Sequence, residues 1–478
     1  MNVLRQDLQH LVARTERSAP VLASDLWRPG FHLTPPVGFL NDPNGLCRFR
    51  GYYHVFYQYA PFDPHGRSVR FWGHYRSQDL LHWERCPVML CPDQTYDVHG
   101  VYSGSALCRE EGMYLYYTGN VKQEEGDYIR TGRESHTVLG FSPDGIHLAW
   151  KRHLMDNSDY PADLTCHVRD PKVWAQEGQY YMVQGARTLD DRGQILVFQS
   201  SDGLQWHHIQ TLRTAQPFGY MWECPDLFEI DGQWVLLCSP QGVERRGPGF
   251  ENPYACGYFP LQGDFRGACT LGDFVSLDYG FDFYAPQTFL DGDRRLLLGW
   301  MGMPDAAFTN PTAQRGWQHC LTVPRELFWK QGALRMRPVK ELESLRGRVQ
   351  ENTFSDRLHM NISPQSDILI SCRGPLLLTL SGLELRTKPG RVFLTLREGG
   401  CGRTERSAPV DGEIHSLRIL ADGCALEVFV NDGEAVLSTK WYPDGPGRSL
   451  TLHGQGKATV YNMRSMDIMS LRPEGTLV

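Results

Sequence analysis

The sequence contains a repeat of strand-like segments. Short stretches rich in aromatic and β-branched residues recur about every 54 to 66 residues, at 52–57, 113–119, 179–185, 233–237 and 294–300. A Ser/Asp turn that leads to a tryptophan follows the first three, at 77–83, 142–150 and 201–206. A unit of about 60 residues fits one four-stranded blade, and blades repeated around an axis form a β-propeller. Five repeats over 30–325 therefore predict an all-β chain with a five-bladed propeller, although aromatic strands of any β protein look alike.

The two ends of the chain differ from the repeats. Beyond residue 345, short alternating runs separated by Gly, Asp and Asn turns are typical of a β-sandwich. The first twenty residues have leucines at helical spacing and charges of both signs, which predicts an amphipathic helix and not a secretory signal. We expect an N-terminal helical extension at 1–26, the propeller catalytic domain at 27–330, a linker at 331–346 and a C-terminal β-sandwich at 347–478.

Composition excludes several classes of partner. The 48 Lys and Arg against 55 Asp and Glu give a net charge of −7, without a basic stripe that would bind nucleic acid. No apolar run reaches the roughly 18 residues of a membrane span. Thirteen cysteines lie scattered without CxxC pairs, which favours reduced thiols and a cytoplasmic location. We expect no nucleic acid or membrane as partner, and monomer and homodimer both stay open.

Three acids occupy similar places in three of the repeats. Asp42, Asp170 and Glu223 each lie shortly before an aromatic strand and next to a proline or a Cys-Pro pair. Corresponding positions in a propeller lie around one ring near the axis, so these carboxylates are expected to meet in a central funnel. Such a cluster is suited either to glycoside hydrolysis or to Ca²⁺ binding. The plainer interpretation is that each proline only marks the start of a strand.

The motifs around these acids occur together in a fixed order. They are NDPNG at 41–45, FYQ at 56–58, FWGH at 71–74, YSGS at 102–105, RDP at 169–171, ECPD at 223–226 and FYAPQ at 283–287. The ordered set resembles glycoside hydrolase family 32, the invertases and sucrose-6-phosphate hydrolases. The resemblance covers about 27–330 and resumes at 426–434.

The resemblance implies roles for particular residues. Asp42 stands at the family's nucleophile, Asp170 at its transition-state stabiliser and Glu223 at its general acid/base. Positions that hold the substrate are matched by Asn41, Gln58, Trp72, Tyr102, Ser103 and Arg169. The chain departs from the family pattern where Phe39-Leu40 replaces the usual Trp-Met pair, and where Gly66 or Arg67 replaces a Trp. Both departures affect the subsite of the leaving group, to which we assign Phe39 and Leu40.

The resemblance also implies an activity. It is that of a retaining β-fructofuranosidase, which hydrolyses sucrose or sucrose 6-phosphate by double displacement with no metal and no organic cofactor. An exo-hydrolase of short fructans or raffinose-type sugars is the alternative among enzymes. A sugar-binding propeller without catalysis is the alternative from another class, and the presence of all three acids argues against it.

Overall fold

The chain is built almost entirely of β-strands, which confirms the predicted all-β class. The computed structural model describes residues 2–445 and 447–471. In this part of the chain the α-helices are α1 (Val3–Thr15) and α2 (Ala19–Leu22). Short 3₁₀ helices lie at Glu16–Ser18, Asn157–Asp159, Pro311–Arg315 and Lys340–Leu345. None of the described helices has the length and apolar character needed to cross a membrane.

Five antiparallel sheets form the blades of the predicted propeller. The strands of the first two blades are β1 (Gly38–Phe49), β2 (Tyr52–Ala60), β3 (Phe71–Ser77) and β4 (His82–Leu90), then β5 (Val101–Cys108), β6 (Met113–Lys122), β7 (Arg133–Ser142) and β8 (Trp150–Met155). The third blade contains β9 (Leu164–Gln176), β10 (Gln179–Thr188), β11 (Gly193–Ser200) and β12 (His207–Leu212). The fourth contains β13 (Met221–Ile230), β14 (Gln233–Gln241), β15 (Gly257–Gly263), β16 (Cys269–Leu271) and β17 (Val275–Ser276).

The fifth blade closes the ring. It contains β18 (Tyr284–Asp291), β19 (Arg294–Met301), β21 (Cys320–Leu321), β22 (Arg325–Lys330) and β23 (Ala333–Pro338), while β20 (Trp317–Gln318) pairs in parallel with β1 of the first blade. The first strands of the blades, β1, β5, β9, β13 and β18, contact one another in sequence, and β18 contacts β1. They are therefore the innermost strands of a closed five-fold arrangement.

The turn predicted from sequence recurs in three blades with the same hydrogen bonds. Asp79, Asp144 and Asp202 each accept two backbone N–H groups, two and three residues further along the chain, at 2.7 to 2.9 Å. An aspartate that bonds to its own backbone in this way fixes a tight turn. The repeated sequence signal thus marks the connection between the third and fourth strands of a blade.

Two sheets follow the propeller as the predicted sandwich. The first has the order β24 (Arg346–Phe354), β35 (Gly456–Met463), β26 (Gln365–Cys372), β31 (Ser416–Asp422), β32 (Ala425–Val430) and β33 (Ala435–Lys440). The second has the order β25 (Arg357–Ile362), β34 (Arg448–His453), β27 (Leu377–Leu380), β28 (Leu383–Lys388), β29 (Arg391–Leu396) and β30 (Glu405–Pro409). Alternating apolar residues of both sheets form one core.

Two of the predicted boundaries are wrong in detail. Strand β23 lies inside the expected linker 331–346, because Gln331 and Gly332 have φ values of 54° and 78° and close a hairpin that adds β23 to the fifth blade. The last described strand, β36 (Asp467–Ser470), was expected in the sandwich but pairs in parallel with β4 of the first blade. Residues 472–478 of the expected sandwich lie outside the described residues.

Charged groups buried between propeller and sandwich tie the two together. His32, which precedes the first blade, bonds through Nδ1 to Asp422 at 2.8 Å and through Nε2 to Glu427 at 2.9 Å. Arg325 of the fifth blade donates to the same Glu427 at 2.8 Å, and Arg403 of the sandwich pairs with Asp282 at 2.7 Å. Paired and hydrogen-bonded charges are the form in which ionised side chains are tolerated in an interior. The interface therefore depends on specific pairing.

Candidate active site

A cavity of about 470 Å³ is lined by residues of all five blades. This volume lies within the range of about 300 to 1,000 Å³ that is usual for small-molecule sites. The cavity wall contains nine of the eleven residues predicted from sequence: Phe39, Asn41, Asp42, Gln58, Tyr102, Ser103, Arg169, Asp170 and Glu223.

A β-bulge in each innermost strand explains why neighbours in sequence face the same cavity. The pairing between the first two strands of every blade shifts so that two residues oppose one, at 41–42, 102–103, 170–171, 224–225 and 285–286. Successive side chains of a regular strand point to opposite faces of the sheet. A bulge interrupts this alternation, so that two neighbouring residues can face the same side. Arg169 and Asp170 are adjacent in sequence, and the bulge brings both into the cavity wall.

Asp42 is held by two short side chains. Ser103 Oγ donates to Asp42 Oδ2 at 2.6 Å, and Asn41 Nδ2 donates to Oδ1 at 3.1 Å. Burial raises the pKa of Asp42, and the charge of Glu223 adds to this, while the two hydrogen bonds act in the opposite direction. The hydrogen bonds fix the position of the carboxylate.

Asp170 is fixed by the backbone of the next blade. Its Oδ2 accepts the N–H of Cys224 at 2.9 Å, and the Cys224 thiol lies 3.7 Å from the same oxygen and 3.7 Å from Asp42 Oδ2. Burial raises the pKa of Asp170 to about 7, opposed by Arg169 and assisted by the charges of Glu223 and Asp42. The two aspartates therefore share one small neutral neighbour between them.

Glu223 has a more open position than Asp170. Its side chain is 17% exposed, against 6% for Asp170. Arg169 Nη2 donates to Oε1 at 2.7 Å, while Gln241 Nε2 and Tyr284 Oη each donate to Oε2 at 2.7 Å. Gln241 lies in none of the sequence motifs. Tyr284 lies in the FYAPQ motif, but nothing in a single sequence shows which hydroxyl meets which acid.

Leu40 and Trp72 lie elsewhere than predicted. Both side chains are fully buried and neither lines the cavity. Trp72 Nε1 donates to the backbone oxygen of Tyr102 at 3.0 Å, and its ring packs against Phe56 and Tyr117. The predicted direct contact of these two residues with substrate is therefore wrong, and Trp72 instead supports the strand that carries Tyr102.

Phe39 does line the cavity, at its edge. Its ring contacts Trp300 and His319 edge-on, with centroids 6.1 and 4.9 Å away. Gly66 packs directly against this ring, since a Cβ there would lie 3.0 Å from it. A tryptophan would not fit at Gly66 in this loop, and its small size leaves the rim of the cavity to Phe39 and to Arg70, whose guanidinium lies 5.0 Å above the ring.

The donors around the acids bear on the choice between hydrolysis and cation binding. Hydroxyl, amide, guanidinium and backbone N–H groups all point at the carboxylate oxygens, whereas a Ca²⁺ site needs those oxygens free and supplemented by carbonyls. In the described part of the chain, one group could hold a metal, formed by His136, His153 and Asp156 outside the cavity wall. The two histidines are hydrogen-bonded to each other at 2.9 Å.

Comparisons with known proteins agree with this site. The model of the "Glycosyl hydrolases family 32 N-terminal domain" matches residues 32–338, and that of the "Glycosyl hydrolases family 32 C terminal" matches 386–469. The chain is 37% identical over 467 residues to a sucrose-6-phosphate hydrolase of Bacillus subtilis (strain 168), covering 93% of this chain and 95% of that one. It is 37% identical over 448 residues to a raffinose invertase of Escherichia coli, covering 89% and 92%.

A solved structure shares the whole architecture. A family 32 β-fructofuranosidase of Bombyx mori superposes with a TM-score of 0.87 at 28% identity, covering 97% of this chain and 100% of that one. The propeller, the sandwich and the acidic cavity thus define a glycoside hydrolase that acts on β-fructofuranosides. The chain belongs to glycoside hydrolase family 32.

Proposed function

We propose that this enzyme hydrolyses sucrose 6-phosphate and sucrose with retention, by double displacement at Asp42, Asp170 and Glu223. The observation that carries the proposal is the convergence of three carboxylates with different partners in one cavity. The similar sucrose-6-phosphate hydrolase supports the choice of substrate. Because a raffinose invertase is equally similar, raffinose-type sugars are the second candidate.

Asp42 acts as nucleophile in this proposal. Its carboxylate is short and fixed by Ser103 and Asn41, as an attacking group should be. Attack on the anomeric carbon of the fructosyl group breaks the glycosidic bond and forms a fructosyl ester on Asp42. The leaving oxygen takes its proton from Glu223 in the same step.

Glu223 then changes from acid to base. As a carboxylate it removes a proton from water, which attacks the fructosyl ester, so that fructose leaves and both side chains return to their starting states. Its side chain is longer than that of either aspartate and more exposed than that of Asp170, which suits it to reach the leaving oxygen. Asp170 is tied to the backbone N–H of Cys224 and suits a fixed acceptor for fructosyl hydroxyls.

The substitution Glu223→Ala tests this assignment through the leaving group. Loss of the acid should reduce hydrolysis of sucrose far more than hydrolysis of an activated aryl fructoside, whose aglycone leaves without a proton. Azide needs no deprotonation, so added azide should speed turnover of the aryl fructoside and give β-fructosyl azide, identified by NMR.

Glu229→Ala is the matched control, because this glutamate is exposed at the far end of the same strand. It should leave both substrates and the product unchanged. An α-configured azide, or equal losses on the two substrates, would remove Glu223 from this role and reopen the choice between the aspartates.

We also propose that the enzyme works in the cytoplasm. All thirteen cysteines are free thiols, and most of them are buried in blades and sandwich, which is the state expected of a reducing compartment. A homodimer stays a prediction.

A further inference from the structure

Two arginines of the cavity wall, Arg70 and Arg133, have no role in the proposed chemistry. They line the cavity together with Arg169. Arg169 is fully engaged, with Glu223 and with His167 Nδ1 at 2.7 Å. Within the described residues, by contrast, no carboxylate oxygen lies within ion-pairing distance of Arg70 or Arg133. Two guanidinium groups thus face the substrate space without a counter-ion.

Arg133 is buried in the cavity wall with two of its donor atoms unpaired. Arg133 is 4% exposed, and its Nε and Nη2 atoms are buried without a hydrogen-bond partner. The guanidinium lies over the rings of Tyr102 and Tyr128, 5.1 and 6.0 Å from their centroids. A buried guanidinium donor without an acceptor is costly, so this group is arranged for an acceptor that arrives with the ligand.

Arg70 approaches the same tyrosine from the first blade. Its side chain and the ring edge of Tyr102 both border Gly100. Its Nη1 donates to the backbone oxygen of Ser68 at 2.9 Å, and its guanidinium lies over Phe39 at the rim. Burial lowers the pKa of Arg70, with Tyr102, Asp42 and Asp63 opposing the shift. An anion between the two arginines would relieve the cost of both positive charges.

We propose that Arg133 and Arg70, on either side of Tyr102, form the subsite for the phosphate group of a phosphorylated sucrose. A phosphomonoester carries two negative charges and several acceptor oxygens, which match the fork of a guanidinium better than a neutral hydroxyl does. The inference rests on the proposed function, since it assumes that the disaccharide is hydrolysed in this cavity. It assigns the preference between sucrose and sucrose 6-phosphate to these two side chains.

The test compares kcat/KM for sucrose 6-phosphate and for sucrose in the wild type, in Arg133→Gln and in Arg70→Gln. Each substitution should raise KM for sucrose 6-phosphate. The ratio of kcat/KM for sucrose 6-phosphate to kcat/KM for sucrose should therefore fall by tenfold or more. Arg109→Gln is the matched control, because Arg109 stacks over Tyr114 and Tyr180 and has a buried Nε without a partner, but lies outside the cavity wall. It should leave the ratio unchanged.

Inorganic phosphate provides a second measurement that needs no variant. It should inhibit sucrose hydrolysis by the wild type competitively, and Arg133→Lys, which keeps one charge, should retain part of this inhibition. Parallel losses on both substrates, or absence of phosphate inhibition, would overturn the phosphate subsite while leaving the β-fructofuranosidase assignment intact. A wild type that cleaves neither sugar would overturn the proposed function itself.

Discussion

Asp170 lies in surroundings that favour its protonated form. Burial raises its pKa to about 7 from an ordinary 3.8, so the folded state holds this proton more tightly than the unfolded chain does. Stability conferred by the protonated group is therefore complete below about pH 4 and is lost as the pH rises through 7. The site keeps a destabilising charge at neutral pH, as active sites often do.

The substitution Asp170→Asn should separate catalysis from stability. It should lower kcat by a large factor with little change in KM, because the lost charge acts mainly on the transition state. It should also raise the free energy of unfolding at pH 8, by up to about 4 kcal/mol, and by much less at pH 4. Urea denaturation at both pH values measures this. A variant less stable than the wild type at pH 8, or a rise in KM alone, would contradict the account.

The sequence predicts individual site residues only where they lie within a recognisable motif. The three acids and most of the substrate-binding positions lie in short motifs, and the structure brings them together. Gln241 and Arg133 follow no such signal, because each reaches the cavity from a second or third strand whose position depends on the whole blade. Trp72 was misassigned since a motif shows that a residue is near the site but not which way its ring points.

At the scale of elements, a close backbone contact between the third and fourth blades leaves no room for a side chain. Gly185 of β10 faces the backbone oxygen of Trp222 in β13, where an added Cβ would lie 1.8 Å from that oxygen. Trp222 directly precedes Glu223. The position of the acid therefore depends on the absence of a side chain in the neighbouring blade.

Gly185→Ala should push these two strands apart. We expect a loss of about 2 kcal/mol or more in stability, as is usual for overpacking a rigid interior. We also expect kcat to fall about tenfold or more as Glu223 is displaced. Gly267→Ala serves as control, because a Cβ there would meet nothing within 4 Å. The measurements are the melting temperature and kcat of both variants. If Gly185→Ala matched Gly267→Ala in both, the close contact at Gly185 would not position Glu223.

Blades were easier to predict than their boundaries. The repeat of aromatic strands and the Asp turns recur locally, so sequence spacing was enough to count five units. Strand β36 could not be assigned from its sequence, because its pairing partner β4 lies nearly four hundred residues earlier. The turn at Gln331-Gly332 lacks the Asn-Gly or Asp-Gly pair that usually signals a hairpin.

At the scale of the whole molecule, the contact of His32 with the sandwich depends on the protonation of its ring. Burial opposes the charge, but hydrogen bonds to Asp422 and Glu427 raise the pKa of His32 from 6.5 to about 9. The stability from this contact is fully present below about pH 6.5 and is lost as the pH rises through 9. The junction between the two modules is therefore expected to weaken in alkali.

The substitution His32→Gln should remove this pH dependence. The wild type should lose up to about 3 kcal/mol of stability, relative to the variant, between pH 6.5 and 9.5. Differential scanning calorimetry of both proteins over this range measures the difference. His359→Gln, at an exposed position of strand β25 in the sandwich, should follow the wild type. Equal slopes for wild type and His32→Gln would show that His32 is not protonated in the folded protein.

The central claim is that Asp42 carries the fructosyl group during turnover. A fructosyl fluoride reacts without an acid, and Glu223→Ala lacks the base that would release the intermediate, so the variant should accumulate a covalent adduct. Mass spectrometry of the rapidly quenched protein should show the added mass of one fructosyl group, and peptide mapping should place it on Asp42. The same variant that also carries Asp42→Asn should gain no mass. A label on Asp170, or turnover without any adduct, would contradict the account.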